Sequence, residues 1–153
     1  MLASNLSRIV LISILLILTG CMQQGTKIKF SLASVQYLNP DIKGNPSPLV
    51  VSIYQLKSAI AFKKISYNEL IKNTGKSLGT NLIDKQDIEI KPNMRRSITQ
   101  YITSDTTYIG VAAGYQNIDR ANWRSIITVP HTKKKINLGI NFESQGLQIK
   151  ESK

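Results

Sequence analysis

In Lys27–Val35, KIKFSLASV, apolar side chains fall at Ile28, Phe30 and Leu32, with Val35 one place out of step. A two-residue period buries one face of a strand and leaves the other to water. Leu49–Leu56, LVVSIYQL, is β-branched and aromatic through most of its length, which suits a second strand. Gln36–Pro48 lies between them and is dense in Pro, Asn, Asp and Gly, so it is expected to be a loop. Between Ser58 and Gly75 the period lengthens. Phe62, Ile65, Leu70 and Ile71 fit a short amphipathic helix, Ser66-Tyr67-Asn68-Glu69 has the form of a capping box, and Gly75 is expected to stop the helix. Alternation returns at Asp87–Lys91, followed by a Pro92-Asn93 turn. Arg95–Thr103, Tyr108–Gln116, Ser125–Val129, Ile136–Phe142 and Leu147–Lys150 read as further strands. Seven to nine short strands with one helical insertion predict an all-β fold, an antiparallel β-sandwich.

The chain begins differently. Ile9–Leu18, IVLISILLIL, carries no charge. As a helix it would span roughly 15 Å, about half a bilayer core, too short to cross. It has the length of a signal-peptide core, with Arg8 and the amino terminus before it. Leu18-Thr19-Gly20-Cys21 then resembles the lipobox of bacterial lipoproteins. A thiolate can be alkylated by a diacylglycerol donor to a stable thioether, and small residues before it admit a signal peptidase. This resemblance implies residues 1–20 as signal peptide, a lipidated Cys21 with a tether at 21–26, and a domain at 27–153. Met22, where Asp would retain a Gram-negative lipoprotein at the inner membrane, implies sorting to the outer membrane.

Losing the first twenty residues removes Arg8 and leaves nineteen Lys and Arg against nine acids, a net charge of about +10. In the cytosol such a charge would suggest nucleic acid. Export leaves acidic partners, anionic lipid headgroups and cell-wall carboxylates. Cys21 is the only cysteine, so no disulfide within the chain is available and stability must come from packing.

Catalytic and metal chemistry is poorly supplied. His131, the only histidine, lies in a basic turn before Lys133-Lys134-Lys135. A triad needs a nucleophile and an orienting acid beside its base, and one His with one lipidated Cys cannot build a zinc site. Asp87 and Glu89 share a strand face, expected to be the solvated one opposite Ile88 and Ile90. Gly75-Lys76-Ser77 imitates the end of a phosphate-binding loop, but Leu70 stands where that motif needs its first Gly. Trp123 is expected to pack rather than to bind a ligand. No enzyme, cofactor, nucleic acid or small-molecule substrate is therefore expected, apart from the covalent lipid.

The run LNPDIKGNPSP (Leu38–Pro48) into LVVSIYQL (Leu49–Leu56) resembles the outer-membrane lipoprotein family of type VI secretion systems, TssJ (SciN). Phe62–Leu70, Asp87–Pro92 and YIGVAAGYQNIDRANWR (Tyr108–Arg124) resemble later stretches of the same family in the same order. Asn45 and Asn117 depart from it, at places where Arg and an acid are common. The resemblance implies a transthyretin-like sandwich without enzymatic activity, lipid-anchored at the periplasmic face of the outer membrane. It also implies binding to the periplasmic C-terminal domain of TssM, within a TssJ-TssL-TssM complex.

The family's contact with its partner is attributed to the loop between the first two strands, here Gln36–Pro48. Its residues suit that role. Pro40, Pro46 and Pro48 limit the entropy lost on binding. Tyr37, Leu38 and Ile42 are candidate apolar anchors, Asp41 and Lys43 candidate register-setting charges, and Asn39 lies among them. Thirteen residues is also long for a plain connection. The competing reading is a lipid-binding or lipoprotein-handling carrier, which would need an unfilled apolar cavity.

Overall fold

The computed structural model describes residues 25–130 and 132–152. Cys21, Met22 and His131 lie outside the described residues. Eight strands form two four-stranded sheets. Sheet A has the order β4-β1-β7-β8, from β1 (Thr26–Ser34), β4 (Arg95–Ile102), β7 (Lys135–Glu143) and β8 (Gly146–Glu151). Sheet B has the order β3-β2-β5-β6, from β2 (Leu49–Leu56), β3 (Leu82–Ile90), β5 (Tyr108–Ala113) and β6 (Arg124–Thr128). Thr26, expected in the tether, is already the first residue of β1.

The sandwich is not wholly antiparallel, as the alternation had suggested. β1 runs parallel to β7, pairing Phe30 with Leu138 and Leu32 with Ile140. A parallel pair requires a crossover. Here the chain supplies it by passing through sheet B between the two strands.

The core follows the expected phase. Ile28, Phe30, Leu32, Ile136, Leu138, Ile140 and Phe142 of sheet A meet Val51, Ile53, Ile109 and Val111 of sheet B. Ile53 and Val111 are direct cross-strand partners, exposed by only 1% and 0%. Ile53→Ala is expected to cost about 3 kcal/mol, lowering Tm by roughly 10 °C. An unmoved thermal melt would show that the side chain is not in the core. Among the described residues this cluster runs from Ile28 to Leu147.

β2 is buried on both faces because helices cover the outside of sheet B. The single expected helix is three short ones: α1 (Ile60–Lys64), α2 (Tyr67–Lys72) and α3 (Thr74–Leu78). Ser66 caps α2 as the capping box predicts, its hydroxyl accepting from the Glu69 N–H at 3.3 Å. Gly75 does not stop the helical segment. Gly79, with φ of +53°, closes α3 in a conformation other residues rarely adopt. Phe62, Leu70 and Leu78 pack with Tyr54, Leu56 and Ala112 in a second core, whereas Ile71 faces solvent.

β5 makes room for this cover. A Cβ at Gly110 would lie 2.9 Å from the Phe62 ring, and one at Gly114 2.6 Å from the Tyr67 hydroxyl. Arg124 fastens the cover from β6. Its guanidinium donates to the carbonyls of Phe62 (2.9 Å) and Ile65 (2.6 Å), at the end of α1. The same group lies 4.6 Å from the Trp123 ring, and Tyr67 meets Trp123 edge-on at 5.3 Å. Trp123 therefore packs against both cores, as expected. Asp87 and Glu89 face water, with Asp87 held by Ser52 (2.6 Å) and Lys85 (2.9 Å).

Candidate docking surface

β1 runs the length of the sandwich. Its eight steps carry the chain about 26 Å from the end at Thr26 to the opposite end. There Val35–Pro48 crosses from sheet A to sheet B. The residues expected to form one contact surface divide into two sets.

Leu38 and Asn39 belong to the interior. Leu38 is fully buried in the main core, so it is a core residue and not a surface anchor. Asn39 is 2% exposed and adopts φ of +45°, a left-handed conformation that Asn tolerates better than most residues. Its side chain donates to the Pro48 carbonyl at 3.0 Å and accepts from the Gln116 N–H at 2.7 Å. Its own N–H donates to the Ser144 carbonyl at 3.1 Å. One residue thus joins the β1–β2 loop to the β5–β6 and β7–β8 connections.

Asp41, Ile42 and Lys43 form the tip, with Pro40 half-buried at its base. An Asp41 carboxylate oxygen accepts from the N–H groups of Lys43 and Asn45, both at 2.8 Å, while the Asp41 N–H donates to the Asn45 carbonyl at 2.9 Å. The Asn45 N–H is the main cause holding the Asp41 carboxyl below its ordinary pKa. The carboxylate therefore keeps the tip closed at neutral pH. Gly44, at φ of +84°, completes the turn; a Cβ there would also press on the Tyr37 hydroxyl at 3.3 Å. Ile42 projects outward with 102% relative exposure, and Tyr37 is half exposed beside it.

Sequence reasoning missed Val50. It is the second residue of β2, at the same end, and leaves its side chain half exposed, although β2 reads as β-branched and aromatic through most of its length. Tyr115 steadies this end: its buried phenol donates to the Gly146 carbonyl, and burial raises its pKa far above neutrality. The result is a hydrogen-bonded loop end at which Tyr37, Ile42 and Val50 leave apolar side chains exposed. Among the described residues, no cluster of three or more His, Cys, Asp or Glu is placed to hold a metal.

The sequence profile of the type VI secretion lipoprotein family, which includes SciN, VasD, EvfM and TssJ, matches residues 26–149. The chain belongs to this family. It is accordingly a structural lipoprotein and not an enzyme. Among solved structures it resembles the T6SS lipoprotein TssJ1 from Pseudomonas aeruginosa, with a TM-score of 0.80 and 29% identity over 84% of this chain and 98% of that one. Serratia marcescens Lip, a membrane-bound component of the type VI secretion system, matches with a TM-score of 0.77 and 20% identity over 84% and 99%. The same fold recurs in a type VI membrane complex (TM-score 0.74, 20% identity, 83% and 99%). It recurs again in a structure of the T6SS protein TssM C-terminal domain from EAEC (0.66, 20%, 81% and 97%). No curated protein sequence matches. Other than Asn39, the type VI lipoprotein keeps the polar and proline-rich residues of LNPDIKGNPSP at the surface, in whole or in part.

Proposed function

We propose that this lipoprotein is the outer-membrane anchor of a type VI secretion membrane complex. A diacylglyceryl group on Cys21 would hold it to the periplasmic face of the outer membrane. The loop tip at Asp41–Lys43, with Tyr37 and Val50, would bind the periplasmic C-terminal domain of TssM, and through it TssL. The sandwich is proposed to be of the transthyretin-like kind. The observation that carries this reading is Ile42, wholly exposed on a hydrogen-bonded tip at the end of the domain away from the tether. A molecule fixed to a membrane at one end presents its other end to a partner spanning the periplasm. Likeness to chains in a type VI membrane complex and in a TssM structure supports the choice of partner. A carrier would need an apolar cavity, whereas the facing side chains of the two sheets pack into one hydrophobic cluster among the described residues.

Sorting offers a separate test. Met22→Asp is expected to keep the lipidated protein at the inner membrane and to stop assembly of the complex. Density-gradient fractionation reads the outcome; a variant banding with the outer membrane would contradict it. For the partner, titration of the domain with the TssM periplasmic domain should give saturable binding, and its absence would overturn the proposed role.

A further inference from the structure

The outer face of sheet A is uncovered, and its charge is one-sided. Cross-strand register collects at the tether end cations that the sequence scatters. Lys27 and Lys29 point outward from β1. Lys135 of β7 is the parallel partner of Lys27, and Tyr101 of β4 is its antiparallel partner on the other side. The turn before β7 is fixed against the same point: the Lys27 N–H donates to the Lys134 carbonyl at 3.0 Å, and the Thr26 hydroxyl to the Lys133 carbonyl at 3.2 Å. Lys133 is paired with Glu151. Lys27, Lys29, Lys134 and Lys135 make no ion pair among the described residues. Tyr101 lies 68% exposed beside them.

We propose that Lys27, Lys29, Lys134 and Lys135, with Tyr101, form a membrane-contacting surface that binds the anionic headgroups of the leaflet holding the lipid anchor. Chain length argues for a lipid surface over an acidic protein. Five residue steps from Cys21 to Thr26 span at most about 17 Å. Attraction between lysines and a charged membrane falls off within a Debye length of about 8–10 Å. Lysine side chains on the first strand after such a tether operate within or near that range. An exposed tyrosine among them suits the headgroup layer, where its ring and hydroxyl both find partners. One lipid attachment leaves a domain free to tumble. A second, electrostatic contact at the same end would restrict that tumbling. The inference rests on the proposed lipidation of Cys21 for its biological setting, but its test does not.

The segment from Gly25 to Lys153, which includes the core cluster of the described residues and lacks Cys21, is sedimented with vesicles of phosphatidylcholine with or without phosphatidylglycerol. Two variants of equal charge are compared with it: Lys27, Lys29, Lys134 and Lys135 all changed to Gln, and the exposed helical Lys63, Lys64, Lys72 and Lys76 all changed to Gln. Wild type is expected to bind the anionic vesicles and not the zwitterionic ones. The sheet variant should bind about tenfold or more weakly, and the helical variant within about twofold of wild type. Equal loss in both variants would show that only net charge acts and would overturn the surface. Failure of the wild type to bind anionic vesicles would overturn it too. Failure of lipidation would instead appear only in the full chain, as absence of lipid label on Cys21.

Discussion

Cys21→Ser is expected to abolish acylation of the protein and, with it, type VI secretion. A serine hydroxyl is not ionised at neutral pH and does not replace a thiolate as the alkylated nucleophile. The variant should remain as uncleaved precursor or enter the soluble periplasmic fraction. Burial of acyl chains contributes about 0.8 kcal/mol per methylene, and one chain gives only marginal attachment where two or more hold firmly. Four exposed, salt-screened lysines do not make up such a loss. Incorporation of labelled palmitate reads the effect directly; equal label in wild type and variant would refute the lipobox. Fractionation then separates lost anchoring from lost protein.

Much of this architecture was legible in the residues because burial imposes a period. Alternation in KIKFSL and INLGINF marked β1 and β7, and the strand phase turned Ile53 and Val111 inward, where the structure has them in the core. Period does not encode pairing, so the parallel contact of β1 with β7 was invisible. β3 begins at Leu82, five residues before the alternating DIEIK, because its first half lies at a sheet edge with polar residues on it. Where the sequence reads as a single amphipathic pattern, the helical segment breaks at Ile65-Ser66, where the backbone is extended, and at Asn73; Gly79 and not Gly75 closes it.

The loop shows the same limit. Its length and composition marked it as a candidate docking connection, but a stretch without period gives no sign of which side chain turns inward. Leu38 and Ile42 are both aliphatic and four residues apart, yet one is in the core and the other wholly in water. Asn39 reads as one more polar loop residue and is instead the joint of three connections. The lysines of sheet A are likewise separated by a hundred residues in sequence and neighbours in space.

That division decides how the docking surface is to be probed. Replacing the whole loop, or Leu38 or Asn39, would damage the core and confuse binding with folding. Ile42→Asp touches nothing buried, so stability should change by no more than about 0.5 kcal/mol. In an interface the same change would remove an apolar anchor and bury a charge. A central anchor of this kind is expected to cost about 2 kcal/mol or more, roughly thirtyfold in Kd. Tyr37→Ala should weaken binding in the same direction but less, because only half of its side chain is available.

Calorimetric titration of the Gly25–Lys153 domain with the TssM periplasmic C-terminal domain, wild type beside Ile42→Asp, tests the central claim most directly. Saturable binding by wild type, roughly thirtyfold weaker binding by the variant and matching thermal melts are the predicted result. Equal affinity of two equally folded proteins would contradict docking through the β1–β2 loop.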